Sequence, residues 1–182
     1  MKKIFLIGVL LIGLGIYVFK QEIQECFFES DLPDPTYIAF EKQLPLYSYN
    51  WSLIGTKGSS NPFVKYKRRN VIVNFWSSKS KSSVEEMKVW AKLYEDYKND
   101  IAFVFVTKDS QTDVNRFLKE TGYVFPVFYS GSTPLKTIVL DKAPKTYLIT
   151  KSGRVVVAYS GAANWNSKKF RNLLDEIINQ NK

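Results

Sequence analysis

Apolar and polar positions along the chain follow two periods, and the change from one to the other is clearest between Val71 and Tyr94. Val71 to Trp76 is a short run of β-branched and aromatic residues broken only by Asn74, and it stops at Ser77, which predicts a buried strand. Beyond the serines the spacing turns helical: Val84, Met87, Trp90, Ala91 and Tyr94 fall on one face, with Glu85, Lys88, Lys92 and Glu95 elsewhere. Ile101 to Val106 is a second run of strand type, so a helix joins two strands and a right-handed parallel crossover is expected. Val114, Phe117 and Leu118 then mark a helix over Thr112 to Thr121, stopped by Gly122, and Phe125 to Phe128 reads as a short extended piece.

Ala143 to Thr150 predicts a strand led in by a proline, Lys151 to Arg154 a hairpin turn, and Val155 to Tyr159 its antiparallel partner. Gly161 to Asn166 is loop. Ser167 caps a last amphipathic helix running to Asn179 on Phe170, Leu173, Leu174, Ile177 and Ile178. Upstream, Pro45 to Ile54 alternates well enough for one or two short strands, with aromatics of core type, and Gly55 to Pro62 is a turn-rich loop. Gln21 to Leu44, acidic and carrying Pro33 and Pro35, reads as a linker and approach segment.

The first twenty residues stand apart. Lys2 and Lys3 precede an uncharged run from Ile4 to Phe19, closed by Lys20. Its length falls between a signal-peptide core of about 7 to 15 residues and a spanning helix of about 17 to 25. The absence of a small-residue cleavage site after Phe19, and of small residues before Cys26, favours an uncleaved anchor over residues 1–20, with its positive end in the cytoplasm and the body exported. Secretion after signal cleavage is the alternative. The body, residues 45–182, has the size of one domain.

Composition narrows the chemistry. With no histidine and a single cysteine, Cys26, the chain can build no Cys/His metal cluster, no histidine-based triad and no internal disulfide. The net charge of +9 is independent of pH near neutrality, but the lysines are spread and the one tight cluster is Lys65, Lys67, Arg68 and Arg69, read as a solvated loop, so nucleic acid is not an expected partner. No metal or other cofactor is expected.

The order strand, helix, strand, helix, proline-led strand, hairpin strand, helix resembles the thioredoxin-like fold, an α/β architecture with a mixed central sheet flanked by helices, here behind an N-terminal anchor helix. Local pieces resemble its membrane-anchored, exported TlpA/ResA-like branch. Asn74-Phe75-Trp76, Ser77-Ser78 and Glu86-Met87 stand where that family has the strand before its active site, two small residues and the start of its long helix. Pro144 to Gly153 matches the strand that the family opens with a cis proline. The resemblance covers about residues 45 to 180, and it implies thiol-disulfide exchange in the bacterial cell envelope, beside a single-pass inner-membrane anchor. It also implies an extended-peptide groove.

The departure lies at the chemistry. The same alignment sets Ser80 and Ser83 where the family has the two cysteines of Cys-x-x-Cys, and Lys79 where an aromatic is usual. Exchange requires a thiolate, which a helix N-terminus stabilises; a serine oxygen forms no disulfide, and no histidine exists to activate it. Ser80 is expected to cap the helix, with Ser82 and Glu85, or Ser83 and Glu86, at capping-box spacing. Three readings stay open. The first is a non-catalytic binder of an extracytoplasmic protein or extended peptide, held by Trp76, Lys79, Ser80, Lys81, Ala143, Pro144 and Lys145, with no catalytic residue. The second is an active oxidoreductase working through Cys26, or a chain whose native cysteines are replaced by serine. The third is anion recognition by Lys79, Ser80, Lys81, Ser82 and Ser83 at the helix start.

Overall fold

The computed structural model describes residues 31–139 and 142–180, and the expected anchor over residues 1–20 and Cys26 lie outside them. Among the described residues no helix is long and apolar enough to cross a membrane. Among the described residues, seven strands form one mixed sheet in the order β2-β1-β5-β4-β3-β6-β7. The strands are β1 (Ser52–Gly55), β2 (Ser60–Pro62), β3 (Asn70–Trp76), β4 (Ile101–Thr107), β5 (Val127–Ser130), β6 (Lys145–Ile149) and β7 (Val155–Ser160). The helices are α1 (Lys81–Tyr97), α2 (Gln111–Thr121) and α3 (Lys168–Asn179).

β3 and β4 are buried along their whole length. Parallel strands covered on both faces read as unbroken apolar runs, which is why both were visible in the sequence. β3 pairs with β4, and β4 with β5, in parallel; β6 lies antiparallel on the other side of β3 and β7 antiparallel to β6. The segment from Pro45 to Pro62 resolves into the β1–β2 hairpin, which joins the sheet against β5.

The two faces of the sheet are covered differently. On one, α1, α2 and α3 bury Ile72, Trp76, Phe103, Phe105 and Leu148 beneath Trp90, Leu93, Phe117, Trp165 and Phe170. On the other, Val71, Val73, Phe75, Val104 and Val106 meet Trp51, Phe63, Leu135 and Ile138, which belong to strand β1's approach, a single 3-10 turn (Phe63–Tyr66) and the loop between β5 and β6. No α-helix covers that second face among the described residues.

The stretch expected to be a linker is docked from its middle onward. Ile38 N donates to Val156 O at 2.9 Å, Val155 N to Leu44 O at 3.0 Å and Leu46 N to Gly153 O at 2.7 Å. Residues 38 to 46 therefore run along β7 on the side away from β6. Proline and acidic content suggested an unpaired linker, but the open edge of β7 offers backbone partners that override that preference.

Candidate functional site

β3 delivers the chain to the end of the sheet at Trp76, and the turn Ser77–Ser80 carries it into α1. Ser80, in extended conformation, is the N-cap: its Oγ accepts from Ser83 N at 3.4 Å and lies 3.1 Å from Ser82 Oγ. The capping box does not form. Glu85 pairs at the surface with Lys81 at 3.8 Å, and Glu86 turns inward.

The turn is fastened from the neighbouring strand by Asp109, beyond the end of β4. Ser78 N and Ser78 Oγ donate to Asp109 Oδ2 at 2.6 and 2.7 Å, and Ser77 Oγ donates to Oδ1 at 2.8 Å. Hydrogen bonds to a charged acceptor are the strong class, so this carboxylate fixes the turn without touching Ser80. Lys79 reaches the other way, to Asp113 at 2.8 Å in the first turn of α2. That hydrogen bond, followed by one from Ser110, holds the Asp113 carboxyl below its ordinary range.

Glu86 is the one fully buried carboxylate of the site. Asn74 Nδ2 donates to its Oε1 at 2.8 Å and Trp165 Nε1 to its Oε2 at 2.8 Å, while Asn74 also bonds Thr146 Oγ1 at 2.9 Å. One carboxylate thus links β3, β6, α1 and the loop before α3. Burial pushes Glu86 up to about 7, and the hydrogen bonds from Trp165 and Asn74 oppose that rise without cancelling it.

Across the turn, the Ala143–Pro144 peptide bond is cis. Phe75 pairs with Lys145, so the antiparallel register continued outward sets Trp76 beside Pro144 and Ser77 beside Ala143. The backbone N–H and C=O of Ala143 enter no hydrogen bond among the described residues, whereas Pro144 O accepts from Gly161 N at 2.9 Å.

Ala143, Trp76 and Ser77 also border a cleft of about 840 Å³ on the face that lacks a helix. Phe75, Val106, Leu135 and Ile138 give it an apolar floor, and Lys108, Lys136 and Lys142 line it with Asp109. Asp109 is already committed to the serine turn. The cleft exists because the loop after β5 covers this part of the sheet less completely than a helix would.

Of the residues singled out from sequence, Trp76 and Ala143 share this cleft, while Lys79, Ser80, Lys81, Pro144 and Lys145 do not line it. Lys145 points its ammonium over the Tyr147 ring at 5.7 Å. Sequence reasoning missed Asp109, Trp165 and the burial of Glu86. Trp165 carried a signal: a lone tryptophan in a polar loop needs both an apolar bed and a partner for its N–H. Among the described residues no cluster of ligands has the makings of a metal site.

Many solved structures share this arrangement of sheet and helices. A protein from Bacteroides vulgatus described as a thiol-disulfide oxidoreductase superposes with a TM-score of 0.62 at 20% identity, over 74% of this chain and 96% of that one. A DsbF homologue from Corynebacterium diphtheriae gives 0.58 at 15% identity, over 85% and 97%. The fold is thioredoxin-like.

By sequence, the thioredoxin-like domain is similar to the thiol-disulfide oxidoreductase ResA of Bacillus thuringiensis subsp. konkukian, 28% identical over 115 residues, which is 62% of this chain and 66% of that protein. ResA of Geobacillus kaustophilus is 26% identical over 112 residues, 60% of this chain and 64% of that one. The match thus spans slightly less than two thirds of those relatives' length. No protein-family model matches the chain.

Proposed function

We propose that this protein is an exported, membrane-tethered thioredoxin-like binder of extended polypeptide that performs no thiol-disulfide exchange. The observation that carries the reading is Ser80 at the N-cap of α1, with Ser83 donating to it, in surroundings otherwise suited to a redox turn: Trp76 before it, buried Glu86 behind it and a cis Ala143–Pro144 bond opposite. The hydroxyl fills the helix N-terminus with a neutral cap where a thiolate would be stabilised. The tether is the uncharged run from Ile4 to Phe19 flanked by lysines, and the compartment is the outer side of a bacterial inner membrane.

Binding needs only what is present. An extended chain pairs its backbone with the N–H and C=O of Ala143, and strand geometry then turns alternate side chains to opposite sides. One such side chain drops onto Phe75, Val106 and Ile138 in the cleft. Lys108 and Lys136, which make no ion pair among the described residues, favour acidic residues flanking it.

The test combines two assays on the full chain. A fluorescein-labelled extended peptide, with a leucine flanked by glutamates, is expected to bind saturably and to lose about tenfold in affinity in the Lys108→Glu/Lys136→Glu variant. Insulin reduction by dithiothreitol is expected to run no faster with the protein than without it. Catalysed reduction that disappears on Cys26→Ser would establish the oxidoreductase reading instead.

A further inference from the structure

The residues leading into β3 carry a surface that the peptide-binding reading does not use. Tyr47 is 80% exposed and Val64 53%, and the two border one shallow depression together with Lys67. Phe40, over which Arg154 sits at 5.1 Å, borders a separate depression beside α3, so Tyr47 and Val64 are the apolar protrusions of this pole.

The same pole is basic. Lys65, Lys67, Arg68 and Arg69 follow Val64 directly, are exposed, and make no ion pair among the described residues. Lys151 joins them through its backbone N–H, which donates to Asn70 Oδ1 at 2.8 Å, and Arg154 follows in the same turn. Asp100 precedes Ile101, the partner of Asn70, and Glu176 borders a depression with Arg154. The cationic loop is held by short turns, Lys67 N to Val64 O and Arg69 N to Tyr66 O, both at 3.0 Å. Arg68 sits at φ 65°, a left-handed conformation that disfavours side chains larger than glycine. Keeping arginine at a position where glycine would be less strained points to use of its charge.

We propose that this pole docks the domain onto an anionic phospholipid bilayer. Cations flanking protruding aromatic and aliphatic side chains match the two layers of a membrane interface: phosphates meet Lys65, Lys67, Arg68 and Arg69, while Val64 and Tyr47 enter the boundary with the acyl chains. A nucleic acid would be served by the charges alone and gains nothing from the apolar protrusions.

The experiment uses the full chain in a Cys26→Ser background, with Val64→Cys carrying an environment-sensitive nitrobenzoxadiazole label, added to vesicles of phosphatidylcholine with or without phosphatidylglycerol. The label is expected to shift to the blue only with phosphatidylglycerol, while the same label at Lys108→Cys, in the cleft, stays unshifted. On the unlabelled chain, amide exchange over residues 63–69 is expected to slow on the anionic vesicles alone. Arg68→Gly relieves the left-handed backbone, so it is expected to raise the melting temperature and yet weaken both signals; a merely structural loop would give the first effect without the second. Equal shifts on neutral vesicles, a shift at position 108, or unaltered exchange on vesicles to which the chain is bound would overturn the proposal. So would slowing by duplex DNA equal to that by phosphatidylglycerol.

Discussion

Glu86 sets a pH dependence whose sign follows from its burial. Its carboxyl titrates near 7 in the folded protein against an ordinary value of 4.5. Below 4.5 it is protonated in both states and costs nothing. Between 4.5 and 7 the unfolded chain releases the proton and the folded one keeps it, so stability falls as pH rises through that window, by about 3 kcal/mol in all. Denaturant titrations at pH 5 and pH 8 are expected to show this fall, and Glu86→Gln to remove most of it. Ser80 makes a different prediction. Ser80→Ala removes the cap of α1 and is expected to cost about 1 kcal/mol. Ser80→Cys with Ser83→Cys is expected to give a protein that forms an internal disulfide and accelerates insulin reduction, because the helix N-terminus that lowers a thiol's pKa is still in place.

The turn before α1 depends on Asp109, beyond β4, as well as on its own residues. Asp109→Ala deletes three hydrogen bonds from Ser77 and Ser78 to one carboxylate, and chemical denaturation is expected to register a loss of about 1.5 to 3 kcal/mol. On the proposed binding reading, peptide affinity is expected to fall with it. The contrast between this element and its neighbours shows what the sequence made legible. β3, β4 and the caps Ser80 and Ser167 were readable because an apolar run, a serine and a helical period are local signals. The register of α1 was only half readable: Val84 was assigned inward and is exposed, whereas Ser83 and Glu86 are buried. Glutamate is an apolar-face residue only when donors such as Asn74 and Trp165 await it, and those arrive from β3 and from a loop 79 residues away. The cleft was invisible for the same reason, since it needs the β5–β6 loop folded over Phe75 and Val106.

Among the described residues, one face of the sheet is sealed by three helices and the other by loops. The sealed face carries the continuous aromatic packing: Trp165 stacks on Trp90 at 4.9 Å and meets Phe170 edge-on at 5.1 Å. Trp165→Phe keeps most of the packing but strips a donor from Glu86, so its cost is expected to be larger at pH 8, where Glu86 is ionised, than at pH 5. Thermal melts at the two pH values distinguish this from simple loss of volume, which would cost the same at both.

The strap from Ile38 to Leu46 has a consequence for association. β7 ends the sheet, and its outer N–H and C=O groups at Val155 and Val156 are occupied by this strap. An outer strand without such cover is a template for a second copy of itself. A chain beginning at Pro45 is therefore expected to keep the same sheet and lose its solitude: sedimentation velocity would find it dimeric or aggregated at concentrations where a chain beginning at Asp31 stays monomeric. Read from its acidic residues and prolines, that stretch is a spacer; folded against β7, it is a selvedge over the start of that edge, at Val155 and Val156.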